Sequence, residues 1–220
     1  MALILNIETS TKNCSVSIAQ NGEQLALCEL TTDGYQHAER LHQFIQWAIE
    51  GCEYTLNDLD AVAVGKGPGS YTGLRIGVSA AKGISFALGV PLLSMNSLDI
   101  LAHCDKKEDF DLIIPMTDAR RKEVYTKTFD ANLNEITPTE AKILDENSFQ
   151  EYADKKVLFV GDGAEKAKEI LILPKAEFYT DILPSAKFMG FAMQQKFKEQ
   201  KFEDVAYFEP FYLKDFVAGK

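Results

Sequence analysis

The sequence predicts an α/β protein of two lobes built on similar plans, each a mixed β-sheet with helices packed on it. Three observations lead there. Runs of strand period are followed by segments of helical period, an order that begins at residue 3. The same order begins again at about residue 112. Between the two starts lies a charged stretch, 105–111, with the composition of a connector. The predicted lobes are therefore 1–105 and 106–220, with the C-terminal helix a candidate to pack back on the first.

Each element follows from its residues. Residues 3–7 (LILNI) form a short apolar run suited to a buried strand. Cys14, Val16 and Ile18 alternate with Ser15 and Ser17, the pattern of a half-buried strand. Asn21-Gly22 is a strong hairpin signal because both residues tolerate positive φ, and 24–31 returns as a third strand. Over 35–51, Ala38, Leu41, Phe44, Ile45, Ala48 and Ile49 fall on one broad helical face, with Gly51 as the stop. Residues 60–65 (DAVAVG) make a buried strand; the turn Lys66-Gly67-Pro68-Gly69-Ser70 then opens a helix over 72–88, ended by Gly89 and Pro91. A strand at 90–94 and a helix at 96–104 close the first lobe. In the second, strands are predicted at 112–116, 123–129, weakly at 142–144, and at 156–160, with helices at 164–171 and 185–200. Meander, helix, strand, helix is the order of a ribonuclease H-like lobe.

Composition limits the function. A chain of 220 residues, 46% hydrophobic and 25% charged, is an ordinary globular protein with a sizeable core. The net charge of −10 argues against the chain binding nucleic acid alone, since phosphate contacts need clustered Lys and Arg. The short clusters Lys106-Lys107, Arg120-Arg121-Lys122 and Lys155-Lys156 read as solvated surface. Cys14, Cys28, Cys52 and Cys104 are too scattered for a disulfide framework or a zinc site and read as reduced and mostly buried. The opening residues 1–8 lack a basic n-region and meet an acid early, so they are not expected to act as a secretory leader, and no uncharged apolar run reaches the roughly 20 residues that span a bilayer. The expected compartment is the cytoplasm.

Two features invite a chemical reading. The loop Gly65-Lys66-Gly67-Pro68-Gly69-Ser70-Tyr71-Thr72-Gly73 looks like a phosphate cradle before a helix. It fails the Walker and dinucleotide patterns, so a tight strand-to-helix turn stands beside that reading. The helix behind it is apolar or small almost all the way round, with only Arg75 and Lys82 charged. Such a helix needs cover on every side. Gly73, Gly77 and Ala81 form a flat stripe, although each helical glycine costs about 1 kcal/mol against alanine. The sheet can cover one side. Either a second protein or the rest of the monomer covers the other. On the first alternative, Leu41, Ile45 and Ile49 of the preceding helix and Leu74, Val78 and Ala81 of this one are the interface candidates, with Trp47 alongside. An exposed patch of that size also predicts a homodimer when the chain is alone.

Catalytic and metal chemistry find little purchase. His37 and His42 are five apart and diverge by about 140° on a helix, so they cannot share an ion. No HExxH or GxSxG pattern occurs. Glu8 and Asp118 each end a strand; with the turn Gly161-Asp162-Gly163 they could serve an actin-like small-molecule kinase or ATPase, one rival reading. A glycoprotease-like metallopeptidase is the other.

Taken together, the opening ILNIETS of residues 4–10, the HAERL of 37–41, the GKGPGSYTGLRIG of 65–77, Val90-Pro91-Leu92, the DARRKEVY of 118–125 and Gly161-Asp162-Gly163 resemble the bacterial TsaB (YeaZ) family, within the actin/Hsp70/sugar-kinase superfamily. The resemblance is highly specific over 1–130 and weak after about 165. It implies a two-lobed actin-like ATPase fold. It also implies a non-catalytic subunit that pairs with its paralogue TsaD and with the ATPase TsaE to place threonylcarbamoyl on N6 of an adenosine in tRNA. TsaD does the transfer, and TsaB-like chains dimerise through the first two helices of the N-terminal lobe. tRNA would then be met only through the complex, with no membrane involved. The resemblance implies no cofactor or metal beyond weak or partner-dependent ATP/ADP binding at loops holding Glu8, Thr9, Gly67, Gly69, Gly161 and Gly163. Counting from Val90-Pro91, the metal-binding histidines of TsaD fall on Ser97 and Leu101, neither of which replaces imidazole. Glu8-Thr9-Ser10 departs from the usual acid-x-Gly-Thr phosphate turn, and most TsaB-like chains begin it with Asp.

Overall fold

The structure, a computed structural model, describes residues 2–32, 34, 36–105 and 109–214. Tyr35, with which the first helix was expected to begin, and the Lys106-Lys107 cluster lie outside the described residues. Two compact units result. One holds the described residues up to Ile100 and again from Pro184; the other is Leu101–Leu183. The expected boundary at 105/106 thus differs from the observed one, and the residues from Pro184 cluster with the first unit.

In the first unit, β1 (Leu3–Glu8), β2 (Asn13–Gln20), β3 (Glu23–Thr31), β4 (Ala61–Gly65) and β5 (Leu92–Met95) form one sheet in the order β3-β2-β1-β4-β5. The meander pairs antiparallel, and β4 and β5 add parallel strands beside β1. Asn21 and Gly22 take φ of 55° and 91° in the first hairpin, as their side chains permit. Alternation along the strands divides the core. Leu3, Leu5, Ile7, Val62 and Val64 face one side, where α1 (His37–Glu50) and α2 (Tyr71–Leu88) pack. Ala2, Ile4, Ala61, Ala63 and Leu93 face the other, beneath Ala186, Met189 and Met193. A sheet covered on both faces explains why β1 and β4 are apolar without alternation.

β2 departs from the half-buried expectation, because Ser15 and Ser17 are buried as well. Their hydroxyls hold the returning chain: Ala186 N donates to Ser15 Oγ at 2.9 Å, and Ser17 Oγ donates to Ala186 O at 2.8 Å.

In the second unit, β6 (Leu112–Asp118), β7 (Glu123–Asp130), β8 (Glu135–Ile143), β9 (Val157–Val160) and β10 (Ala176–Tyr179) are ordered β10-β9-β6-β7-β8. That is the first sheet's plan strand for strand. Where α1 links β3 to β4, only a short 3-10 turn, Gln150–Tyr152, lies between β8 and β9. β9 and β10 are linked by a helix over Ala164–Ile170. Phe159 anchors this core, 5.5 Å from the Phe149 ring edge-on and stacked 5.0 Å from Phe178. Two strands exceed the sequence reading. β8 is a largely exposed edge strand carrying Pro138, so it lacks an apolar signature, and the four-residue β10 is too short to show a period.

Two shorter helices complete the described chain: α3 (Ser97–Ala102) and, last, Gly190–Lys198, which packs on the first sheet. The 3-10 turn Ala186–Phe188 precedes that last helix, where a continuous helix from 185 was expected. No described helix is long and apolar enough to cross a membrane.

Candidate functional site

The two longest helices present two faces each, and the structure assigns them differently from the sequence reading. Leu41, Ile45, Ile49, Leu74, Val78 and Ala81 do come together, but none is more than 7% exposed. Leu41, Ile45, Ile49, Val78 and Ala81 belong to the layer of α1 and α2 that seals the first sheet, while Leu74 lies against Gly67 of the preceding turn. Within the single chain these six side chains are therefore core rather than exposed surface. The small-residue stripe is internal too. A Cβ at Gly73 would run into Thr9 O, and one at Gly77 into Thr9 Oγ1. Thr9 Oγ1 donates to Gly73 O at 2.8 Å, so the glycines let α2 lie directly on the turn after β1.

The outward faces leave an open groove of about 570 Å³ between the helices, lined by Ala38 and His42 of α1 and by Ile76, Ser79, Ala80, Gly83 and Ile84 of α2, with Arg75 at its side. A Cβ at Gly83 would meet nothing within 4 Å. Phe86, three residues beyond Gly83 and hence on its side of the helix, is 82% exposed. Ile76, Ser79, Gly83 and Phe86 recur at helical spacing, so the row could have been found from sequence by setting it apart from the Leu74-Val78-Ala81 row.

A third flank of α2 is covered by the chain's own C-terminal part, which the sequence reading missed. Lys82 Nζ donates to Phe208 O at 2.8 Å and to Ala206 O at 3.2 Å. Arg75 Nε donates to Tyr212 Oη at 3.1 Å while its guanidinium lies 4.0 Å over the Tyr71 ring. Phe211 N donates to Lys66 O at 2.7 Å. The only two charged residues of the helix thus tie down this strap.

The candidate phosphate loops are occupied by the chain itself. Glu8 is fully buried; its carboxylate accepts from Ser10 N at 2.5 Å and Ser97 Oγ at 3.3 Å, and it fills the space that Gly65 leaves by lacking a Cβ. Burial pushes its pKa up, and the Ser10, Ser97 and Thr9 donors pull against that rise. Gly69 abuts Ser10, and Ser70 N donates to Ser10 O at 2.6 Å. Gly67, at φ +104°, accepts from Ser97 N at 2.9 Å through its carbonyl. Ser70 Oγ caps α2 by accepting from Gly73 N at 3.2 Å. In the second unit, Gly161 at φ +119° and Gly163 lie against the end of β6, where a Cβ would strike Met116.

Asp118 and His37 are also engaged. Asp118 accepts from Lys166 Nζ at 2.6 Å and from Arg120 N at 2.5 Å; its own N–H donates to Asp162 Oδ1 at 3.0 Å. Glu8 and Asp118 lie in different units. Buried His37 bonds Thr11 O through Nε2 at 2.8 Å, and burial lowers its pKa while that bond opposes the shift. Ser97 and Leu101 are both fully buried, one bonded to Glu8 and one apolar. All four cysteines are free thiols; Cys14, enclosed, is pushed up to about 11, while Cys28 and Cys52 are only half-buried. Among the described residues no three His, Cys, Asp or Glu side chains cluster as a metal would require.

A family model described as TsaD, tRNA N6-adenosine threonylcarbamoyltransferase, matches residues 34–219. The tRNA threonylcarbamoyladenosine biosynthesis protein TsaB of Bacillus subtilis is 33% identical over 87% of this chain and 81% of its own length. The Escherichia coli protein of the same name is 31% identical over 99% of this chain and 96% of its own. Among solved structures, YeaZ from Pseudomonas aeruginosa superimposes with a TM-score of 0.82 at 25% identity, covering 97% of this chain and 100% of that one.

Proposed function

The chain belongs to the TsaB (YeaZ) family and has its two-lobed actin-like fold, and on that premise we propose that it is the non-catalytic, partner-organising subunit of a tRNA N6-threonylcarbamoyladenosine-forming assembly. Its relatives are named for threonylcarbamoyladenosine biosynthesis, and that pathway is the one assigned here. The partner is a paralogue of the transferase type that the family model describes, with a TsaE-type ATPase completing the cytoplasmic assembly. The observation that carries this reading is the outward groove of α1 and α2. It is open, has an apolar floor of Ala38, Ile76, Ala80 and Ile84, and is edged by the bare Gly83 and the projecting Phe86. Interfaces are built around such concave apolar floors with an aromatic anchor beside them. Alone, the chain closes the same groove by pairing with a second copy.

A separate catalytic role finds no support in the side chains. The acid of the first turn is spent on Ser10 and Ser97, and Asp118 is spent on Lys166 and the turn that follows it. The test is reconstitution: threonylcarbamoyladenosine formation on an unmodified tRNA transcript by TsaD-type and TsaE-type partners, with and without this chain. Formation that requires the chain, together with none from the chain alone, is the expected result. Undiminished formation without it, or transfer by the chain alone, would overturn the proposal.

A further inference from the structure

Arg120 and Arg121 are consecutive non-glycine residues with positive φ, 69° and 53°. Left-handed backbone costs roughly 1–2 kcal/mol at each such residue, so the turn between β6 and β7 holds a conformation its residues resist. Its base is braced to hold it. Asp118 accepts from Arg120 N and from Lys166 Nζ, and Lys166 Nζ also donates to Glu123 O at 3.2 Å, across the mouth of the turn. Ala119 N donates to Glu123 O at 3.2 Å, and Leu144 N fixes Lys122 O at 3.1 Å.

The tip this brace carries is Arg120-Arg121-Lys122, all exposed. In the same unit Lys127, Lys142, Lys156 and Lys166 each lie within 4 Å of a carboxylate. The three tip side chains make no ion pair among the described residues. A chain with net charge −10 has acids to spare, yet leaves these three cations open on a strained, clamped turn.

We propose that this turn is a contact for the phosphodiester backbone of RNA. The inference rests on the tRNA-modifying role proposed above and names the surface through which this chain would share in holding that substrate. Guanidinium forks match phosphate oxygens in geometry, and such contacts position a nucleic acid without reading its sequence. Three successive exposed cations with no apolar residue among them present charge for phosphate but no apolar anchor. A polyanion needs none. Because the cations are few, binding is weak alone and adds to the partner's.

The test replaces the two arginines without loading the turn: Arg120→Asn with Arg121→Gly, residues that accept left-handed backbone. Binding of an unmodified tRNA transcript to the complex with the TsaD-type partner is measured against salt, after partner association is checked by gel filtration. The expected result is intact association, several-fold weaker RNA binding, and a plot of log K against log salt shallower by about 1–2. Identical binding curves would overturn the proposal. So would loss of partner association in the variant, which would make the turn a protein contact. Failure of the unsubstituted chain to associate counts against the proposed function instead, and the same comparison on the isolated chain at low salt then decides the turn.

Discussion

Glu8 ends β1, and its carboxyl is enclosed by Ser10, Ser97 and the gap at Gly65. An acid whose folded pKa is raised binds its proton more tightly folded than unfolded. The stability this contributes is complete below the unfolded carboxylate range near about pH 4 and is lost as pH rises through the folded pKa. Glu8→Gln, which keeps the acceptor without the charge, removes that loss. Relative to the unsubstituted chain it should gain stability as pH rises above about 4, as read from urea midpoints. Parallel curves would show that the donors already offset the burial. The sequence revealed Glu8 as a strand-end acid and its mismatch to the phosphate turn. Its burial was not legible, because it depends on Gly65 and Ser97, far along the chain. The left-handed pair Arg120-Arg121 was hidden for the same reason: the clamp comes from Lys166 and Asp162.

At the scale of the element, α2 was legible in extent, expected at 72–88 and observed over Tyr71–Leu88, and so was its need for cover all round. Which neighbour covers which side was not. Periodicity sorts residues into faces, but a glycine row on a packed face and a glycine in an open groove look alike in sequence. The structure separates them, and stability can check it. Gly73→Ala forces a methyl against the backbone oxygen of Thr9 and should cost about 1–3 kcal/mol or more. Gly83→Ala places one in open space and should raise stability by about 1 kcal/mol, the ordinary helical gain. Equal and opposite assignments in denaturant unfolding would mean the faces are reversed. The strap over residues 204–212 left only a faint trace beforehand, in the two charges on an otherwise apolar helix.

For the whole molecule, the repeated plan was the most legible feature, since both sheets follow one strand order and both starts stood out in the sequence. The return of the residues from Pro184 to the first unit is fixed by hydroxyls of β2 whose alternation had pointed to solvent. In the proposed division of labour, one row of α1 and α2 builds the monomer and another builds the assembly. Its most direct measurement is gel filtration with the TsaD-type partner, run beside urea unfolding, for two charge insertions on different faces of α2. Gly83→Glu should not lower stability, since it replaces a helical glycine in open space, and should abolish co-elution, whereas Val78→Asp, 4% exposed, should destabilise the chain by about 3 kcal/mol or more. A stable Gly83→Glu chain that still co-elutes with its partner would contradict the claim.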